Sequence, residues 1–217
     1  MTPAPTVSLA ERAILALREM VHDGVLLPGQ PIRQASIAEQ LGISRVPVRE
    51  ALKNLQADGL VEASPSGGFV VARLSADELG QIYLMRRLLE TELLHRVGPA
   101  PAGEIAVLAE LNARMEALID HPSPEWKHLN RELHFRMFRL SGLPHVVAEV
   151  SRLWDKTAPY RLVYSAEHDA RVRIVAEHDK LIDALRRNAP QDLIELMDGH
   201  RGASERSVVS VLSYPRQ

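Results

Sequence analysis

The stretch that decides the fold is SIAEQLGISRVPVREALKNLQADGLVEASPSGGFVVA, residues 36–72. A capping-box pattern at Ser36 and Glu39 predicts a short helix that ends at Gly42. A two-residue turn separates it from a second helix, which begins after Ser44. Two short apolar runs on either side of a Ser-Pro-Ser-Gly-Gly turn then predict a β-hairpin. This order predicts a winged helix-turn-helix, in which the second helix enters the DNA major groove.

Helical signals also precede and follow this stretch. A capping box at Ser8 and Glu11 predicts an amphipathic helix before it. Another capping box, at Ser75 and Glu78, opens the rest of the chain, in which no strand pattern recurs. Turns that contain glycine or proline divide that part into six predicted helices, at about 76–97, 103–120, 124–141, 144–164, 168–188 and 190–212.

We therefore predict a mostly α-helical chain of two domains. Residues 1–74 are expected to form an N-terminal winged helix-turn-helix with a small β-hairpin wing. Residues 75–217 are expected to form an all-α antiparallel helical bundle. Six helices over this length can bury a hydrophobic core of their own.

The composition narrows the class of protein without identifying a partner. Of 217 residues, 46% are hydrophobic and 25% are charged, as in ordinary globular domains. The absence of cysteine excludes disulfides, thiolate zinc fingers and a cysteine nucleophile, and it fits a reducing compartment. No apolar run approaches the roughly 18 residues that a bilayer span requires. We therefore expect a cytoplasmic protein with no membrane partner.

Charge is informative by position rather than by amount. The net charge is −2, and residues 1–74 carry seven basic and seven acidic side chains. In the predicted recognition helix, Arg45, Arg49 and Lys53 recur at every fourth residue and therefore share one face. Such a stripe fits the bases and phosphates of DNA, although a merely solvated helix face shows the same pattern.

Other candidate DNA contacts surround that stripe. The first residues of a recognition helix enter the major groove, which adds Val46 and Pro47 to the basic residues. Ser44 suits a phosphate, whereas arginine can bond guanine through two hydrogen bonds. The wing tip at Gly67 and Gly68 would let the backbone approach DNA closely.

The same motif carries a family resemblance. The run GISRVPVREAL, residues 42–52, closely resembles the signature of GntR-family regulators. The resemblance implies that Arg45 and Arg49 are the main DNA contacts. Some members carry an arginine early in the preceding helix, where this chain has Ala35. Arg33, two residues earlier, is the candidate to replace it.

The number of base pairs that one helix can read bears on the oligomeric state. A single recognition helix contacts only a few base pairs, so affinity and specificity usually demand two half-sites. We therefore expect a homodimer, held together by the helical bundle, on pseudo-palindromic double-stranded operator DNA.

Histidine is concentrated after residue 74, where eight of the nine histidines lie. His134, His178 and His200 fall inside apolar helical stripes, and Asn130 precedes His134 by one helical turn. Helical bundles build metal sites from such inward-facing side chains. Three imidazoles and an amide oxygen can hold a divalent cation, but histidines of an ordinary core fit the same spacing.

A second resemblance bears on this choice. Residues 76–212 look like the FCD ligand-binding domain of the FadR subfamily, through the runs IYLMRRLLE, NRELH, EH and GHR. That resemblance implies a divalent metal ion, with zinc first and nickel, manganese or iron as alternatives. The implied ligands are Asn130, His134, His178 and His200. Asn130 stands where aspartate is commoner, and a neutral amide oxygen is the weaker ligand.

Arg86 falls on the apolar stripe of its helix, so its guanidinium is expected to point into the bundle. A buried arginine needs an anionic partner. Either an effector carboxylate supplies it, as the family resemblance implies, or Glu90 does so one turn later in an internal ion pair. Neutral metal ligands would leave a bound cation with its full charge, which also favours a small carboxylate effector.

Together these features favour a transcription regulator that is not an enzyme. The predicted regulator binds operator DNA, and a small anionic effector at a metal site controls that binding. Three other functions remain open: a metal sensor without an organic effector, a metalloenzyme that uses the histidines, and a bundle that only dimerises. The metalloenzyme lacks a His-Glu-x-x-His motif and an obvious general base.

Overall fold

The computed structural model describes residues 8–121 and 123–213, and the chain divides into two compact units, Met1–Leu74 and Ser75–Gln217. The first unit contains a small sheet and three helices among its described residues. Its elements are α1 (Leu9–His22), β1 (Pro31–Ile32), α2 (Gln34–Leu41), α3 (Arg45–Ala57), β2 (Val61–Ala63) and β3 (Phe69–Val71). These are the helices and the hairpin that the sequence predicts, with β1 in addition.

The sheet of the first unit therefore has one strand more than predicted. β3 lies between β1 and β2 and is antiparallel to both, with Pro31 opposite Val70 and Val61 opposite Val71. A strand of two residues is too short to show the alternation by which strands are recognised in a sequence. The pairing ties the start of α2 to the hairpin.

The helices of this unit pack around one apolar core. Leu17 of α1 and Leu52 and Leu55 of α3 are fully buried, and Val61 and Val71 close the core from the sheet. The amphipathic pattern of α1 and α3 follows from this packing, because the apolar face of each helix is the one that leaves water.

The start of α2 differs from the prediction. The helix begins at Gln34 with Arg33 as its N-cap, so Ser36 lies inside the helix and forms no capping box. The capping boxes at Ser8 and Ser75 do form, each with its glutamate three residues later. Ser44 is the N-cap of α3, but its side chain makes no capping hydrogen bond.

The second unit contains six helices in its described part. They are α4 (Ala76–His95), α5 (Ala102–Ala117), α6 (Pro124–Arg139), α7 (Pro144–Ala166), α8 (His168–Arg186) and α9 (Pro190–Ser213). Each agrees with a predicted helix to within a few residues. Most of their buried apolar residues belong to one cluster, which includes Phe138, Trp154 and Leu181.

Within the described part of the chain, no helix is both long enough and apolar enough to cross a membrane. The longest helices carry charged side chains on their exposed faces, as helices of a bundle do.

Candidate nucleic-acid interface and metal centre

The outer face of α3 carries the predicted basic stripe. Arg45, Arg49 and Lys53 are all exposed, while Val48 and Leu52 on the opposite face are fully buried. The core therefore fixes the rotation of the helix about its axis and leaves the three cations in solvent. A helix held in this way presents cationic side chains without distortion of its own unit.

The N-terminus of α3 divides into exposed and buried positions. Ser44 is exposed and Val46 is 66% exposed, so both can approach a ligand at the end of the helix. Pro47 is buried, so it does not belong to the outward surface that the sequence predicted for it. Proline at the third helical position supports the first turn, where its missing N–H is not needed.

The turn between α2 and α3 depends on Gly42. This residue has φ +64° and ψ +35°, the left-handed conformation that ends a helix. The amide of Ile43 then donates to the carbonyl of Ala38 at 3.0 Å, which completes the cap. The turn sets the direction of α3 relative to α2.

Two further predicted DNA contacts lie at the margins of this surface. Arg33 is exposed at the N-terminus of α2, and its side chain makes no capping hydrogen bond. Gly67 and Gly68 form the exposed tip of the hairpin with φ +91° and +82°, and a Cβ at either position would have open space within 4 Å. The hairpin tip is therefore open to a close backbone approach.

In the second unit, three histidines converge on one point. Nε2 of His134 lies 3.3 Å from Nε2 of His178 and 3.2 Å from Nε2 of His200. The rings come from α6, α8 and α9, and at most 9% of each residue is exposed. The three imidazole nitrogens therefore face one another in a dry interior rather than dispersing through the core.

The outer nitrogen of His178 is held by a residue that the sequence did not single out. Nδ1 of His178 lies 3.2 Å from Oδ1 of Asn112 on α5. The amide group of Asn112 donates to the carbonyl of Val175 at 3.0 Å and to Asp179 at 2.8 Å. Because both amide hydrogens are used, the oxygen must accept from His178, which therefore carries its proton on Nδ1. Its Nε2 then presents a lone pair to the cluster.

His200 is oriented in the same way. Its Nδ1 donates to Oε2 of Glu177 at 2.6 Å, so in the neutral form of the ring Nε2 also presents a lone pair. Burial alone would raise the pKa of the Glu177 carboxyl, but the hydrogen bond and charge of His200, with Arg173 and Lys180, outweigh it and lower the pKa. Glu177 thus stays an anionic acceptor at neutral pH.

Burial favours the neutral form of His134 and His178. It is the first cause that lowers the pKa of His134 well below its ordinary value, followed by the charges of His200, His178, Arg86 and Arg161. Burial followed by the charge of His200 lowers the pKa of His178 in the same direction. Neutral imidazole is the form that binds a metal ion.

The donor set fits a divalent cation. Ligand nitrogens at about 2.0–2.1 Å from a tetrahedral zinc ion are about 3.3–3.4 Å apart. The two spacings between His134 and its neighbours, 3.3 and 3.2 Å, are close to that value. A single proton between three facing nitrogens cannot satisfy them all. The arrangement therefore suits a cation better than an apolar core.

Asn130 adds a fourth donor to consider. Its Oδ1 is buried and has no hydrogen-bond partner in the described part of the chain, and the same is true of Nδ1 of His134. Buried polar atoms are rarely left unpaired, so this carbonyl oxygen is available to a bound ion. Asn130 lies one turn before His134 on α6, as the sequence predicts.

Arg86 forms an internal ion pair with Glu90, one of the two anionic partners that the sequence analysis allowed. Its Nε donates to Oε1 of Glu90 at 2.8 Å, and Nε1 of Trp154 donates to the same oxygen at 2.8 Å. Arg86 is only 3% exposed and Glu90 1%. Nη1 of Arg86 is nevertheless buried without a partner among the described residues. One end of the guanidinium is thus neutralised, while the other still needs an acceptor.

Comparisons with known proteins identify a family for each of the two units. A family model described as bacterial regulatory proteins, gntR family, matches residues 9–71, and one described as the FCD domain matches residues 81–203. The chain is 27% identical over 175 residues to the uncharacterized HTH-type transcriptional regulator YdhC of Bacillus subtilis (strain 168). That match covers 79% of this chain and 78% of the relative.

Other relatives extend over a similar length. An uncharacterized HTH-type transcriptional regulator in an unstable DNA locus of Streptomyces ambofaciens is 30% identical over 173 residues, which is 79% of this chain and 72% of the relative. The HTH-type transcriptional regulator McbR of Escherichia coli (strain K12) is 27% identical over 179 residues, or 81% of both chains.

Solved structures share the fold. The structure of E. coli McbR/YncC superposes with a TM-score of 0.83 at 23% identity, over 95% of this chain and 98% of that one. A GntR regulator from Rhodococcus sp. RHA1 gives a TM-score of 0.80 at 20% identity, over 95% and 99%.

Proposed function

The chain belongs to the GntR family of bacterial regulatory proteins and carries an FCD domain, and from this membership we propose how a small anion controls its binding to operator DNA. It is a transcription regulator rather than an enzyme. The proposal assigns DNA binding to the first unit, and metal and effector binding to the second. The regulator acts in the cytoplasm, where bacterial DNA lies.

The exposed basic face of α3 is the observation that carries the DNA-binding part. Arg45 and Arg49 contact bases or phosphates in the major groove, Lys53 contacts phosphate, and Val46 meets an apolar base edge. We assign Arg33 and the hairpin tip to contacts with the flanking DNA backbone. Because the buried side of α3 fixes its rotation, these contacts cost the protein little reorganisation.

The converging imidazoles carry the metal-binding part. His134, His178 and His200 hold a divalent cation, for which zinc is the first candidate, and Asn130 offers its amide oxygen. A bound cation would supply two positive charges that neutral ligands do not cancel, and so a site for a carboxylate. Asn112 and Glu177 orient the rings that bind it.

Arg86 is the residue we assign to the effector. Its unpartnered Nη1 is a buried donor, and Arg86 lies close enough to His134 to affect the pKa of that ring. A carboxylate at the metal would satisfy this donor, whereas water alone would leave a buried charge poorly paired. The ion pair with Glu90 holds the guanidinium in place for that contact.

The regulator acts as a homodimer in this proposal. Leu84, Met85 and Leu88 form an exposed apolar stripe on α4, with Leu88 63% exposed. Such a stripe fits an interface with a second copy of the chain. A pair of recognition helices then reads the two half-sites of a pseudo-palindromic operator.

Effector binding can alter DNA affinity only as far as the effector distinguishes two arrangements of the protein. In this proposal the effector favours one arrangement of the helical bundle and so changes the spacing of the two DNA-binding units.

The DNA-binding assignment is tested on sites that the unmodified protein selects from random DNA. Affinities for a selected site are measured over a range of salt concentrations. Arg45→Ala and Arg49→Ala are each expected to cost about 1–3 kcal/mol in affinity for that site. Arg186→Ala, which removes an exposed cation of the second unit, is the control and should change little. Unchanged affinity and salt dependence in both α3 variants would refute the assignment.

A metal sensor is the second candidate, because Arg86 already has one anionic partner in Glu90. Measuring operator affinity for the metal-free, metal-loaded and carboxylate-treated protein distinguishes the metal sensor from the effector-controlled regulator. A response to metal alone, with none to any carboxylate, would favour the sensor.

A further inference from the structure

Cationic groups outnumber carboxylates around Trp154. The guanidinium carbons of Arg86 and Arg161 each lie 4.5 Å from the centre of the indole ring. The ring of His134 lies 5.0 Å from the same indole. Trp154 therefore places two arginines beside the candidate metal centre, and the charge balance of this region bears on what it binds.

Arg161 is held by neutral acceptors. Its Nη1 donates to the carbonyl of Trp154 at 3.1 Å and to the hydroxyl of Thr157. Among the residues that the structure describes, no carboxylate lies within ion-pair distance of Arg161. Burial, and then the charge of Arg86, lower the pKa of Arg161 to about 9. Tyr83 and Asp155 favour the charged form but offset these effects only in part, and neither carries a carboxylate within ion-pair distance of the guanidinium.

The remaining charges nearby do not supply the missing anion. Glu90 is the buried carboxylate of this region, and it lies 2.8 Å from Nε of Arg86 and 3.2 Å from Nε of Arg201. Arg201 turns its other end toward Asp198, 2.9 Å away. Arg86 and Arg201 therefore share one buried carboxylate, Glu90, and Arg201 has a second, partly exposed partner in Asp198. Among the described residues, Arg161 has no carboxylate partner, and Nη1 of Arg86 has no hydrogen-bond acceptor.

We propose that the effector of the second unit is a small dicarboxylate, with one carboxylate at the His134–Arg86 end and the other at Arg161. This inference rests on the proposed function, in which the second unit binds an anionic effector. A monocarboxylate could pair with one of the two groups and would leave the other, either the buried Arg86 or the partly buried Arg161, without an anionic partner, which is unfavourable. A dianion pairs with both.

The geometry also limits the size of the ligand. Because each guanidinium carbon is 4.5 Å from the ring centre of Trp154, the two are at most about 9 Å apart, twice that distance. A short chain between two carboxylates fits within this span. Planar guanidiniums also match the paired oxygens of carboxylates.

The test uses the full-length, zinc-loaded protein and isothermal titration calorimetry. Malonate, succinate and glutarate are compared with acetate, propionate and butyrate, and with inorganic phosphate, at constant ionic strength. The expected result is that the best dicarboxylate binds at least about tenfold more tightly than every monocarboxylate and than phosphate, since its second carboxylate gains a charged partner. Equal affinity for monocarboxylates, or tighter binding of phosphate, would overturn the inference but not the anionic effector. No binding by any of these anions would overturn both.

Variants at Arg161 provide the second measurement. Arg161→Gln should reduce the ratio of dicarboxylate to monocarboxylate affinity toward one. Arg161→Lys should keep part of that preference because the charge remains. Arg186→Gln is the matched control on the exposed face of α8 and should retain the full preference. Circular dichroism and zinc content establish that each variant is folded and loaded. An unchanged preference in a folded Arg161→Gln protein would contradict the assignment of this residue.

Discussion

Nδ1 of His200 lies 2.6 Å from Oε2 of Glu177, and this contact joins α9 to α8 directly behind the cluster of imidazole nitrogens. The carboxylate fixes the ring tautomer and adds electron density to the nitrogen that faces His134. Asn112 does the same for His178 without a charge. The two partners differ in kind, so their removal should differ in effect.

Glu177→Gln is expected to lower zinc affinity about 10–100-fold, which is the usual effect of losing a carboxylate behind a histidine ligand. A glutamine can still accept the hydrogen bond but no longer supplies the negative charge. Competition against a chromophoric chelator measures the change. Glu195→Gln, an exposed glutamate on α9, is the control. Equal zinc affinity in the two variants would show that Glu177 only packs against the ring.

The metal-free protein should lose stability as the pH falls below about 6.5. Burial lowers the pKa of His134 and His178 in the folded state, whereas the unfolded chain retains the ordinary value of 6.5. Below that value the unfolded state binds more protons, so the free energy of unfolding falls, by up to about 1.4 kcal/mol per pH unit for each ring. Above pH 6.5 the contribution of the neutral rings is fully present.

Urea unfolding in the presence of a chelator, between pH 5 and pH 8, measures this dependence. His178→Gln removes one of the two titrating rings and should make the profile shallower in the acid range. A profile that is flat below pH 6.5, or that is identical in the variant, would contradict the assignment of the lowered pKa values to these rings.

Much of the fold could be predicted because its signals are local. Capping boxes at Ser8 and Ser75 lie within one turn of the helix ends they specify, and the prediction of these ends is confirmed. β1 was missed because its partner is a strand far along the chain, and Pro31 pairs with Val70 only in the folded sheet. The predicted start of α2 was wrong. The helix begins at Gln34, so Ser36, whose spacing to Glu39 matches a capping box, already lies inside it.

Only the part of the candidate site that depends on local spacing could be predicted from the sequence. The spacing of Asn130 and His134 within one helix is visible in the sequence, and so is the apolar stripe around Arg86. Asn112 gives no such signal, since its link to His178 joins α5 to α8 through tertiary packing. The sequence analysis did not single out Arg161 for a similar reason, because only the folded bundle shows that its neighbours are neutral acceptors.

Gly42→Ala should destabilise the first unit by about 1–2 kcal/mol, the cost of a left-handed conformation for a residue with a Cβ. Nothing lies within 4 Å of a Cβ at this position, so the backbone conformation alone sets the effect. Gly42→Asn should cost less, since asparagine tolerates that conformation. Residues 1–74 contain no tryptophan or tyrosine, so far-UV circular dichroism in urea is the suitable probe. Equal losses in the two variants would contradict this account.

Leu88→Lys should convert a dimer into a monomer. A charged side chain at a position that is 63% exposed costs the free chain little but would be buried in the proposed interface, where an unpaired charge is unfavourable. Light scattering after size-exclusion chromatography should give about twice 24.1 kDa for the unmodified protein and 24.1 kDa for the variant. Val172→Lys on α8 is the control, since Val172 is an exposed apolar residue outside α4. A variant that remains dimeric would remove α4 from the interface.

The fluorescence of Trp154 should report metal binding at the three histidines. The chain has two tryptophans, so Trp126→Phe leaves Trp154, whose indole lies 5.0 Å from the ring of His134, as the single emitter. Nε1 of Trp126 makes no hydrogen bond in the described part of the chain, so this substitution removes no hydrogen bond there. Co²⁺ or Ni²⁺ bound to the imidazoles should quench the emission strongly through their unfilled d shells, whereas Zn²⁺, which has a filled shell, should not. In the same background His134→Ala should abolish the quenching, and His95→Ala, which alters an exposed histidine of α4, should leave it intact. Quenching that survives the loss of His134 would place the metal elsewhere.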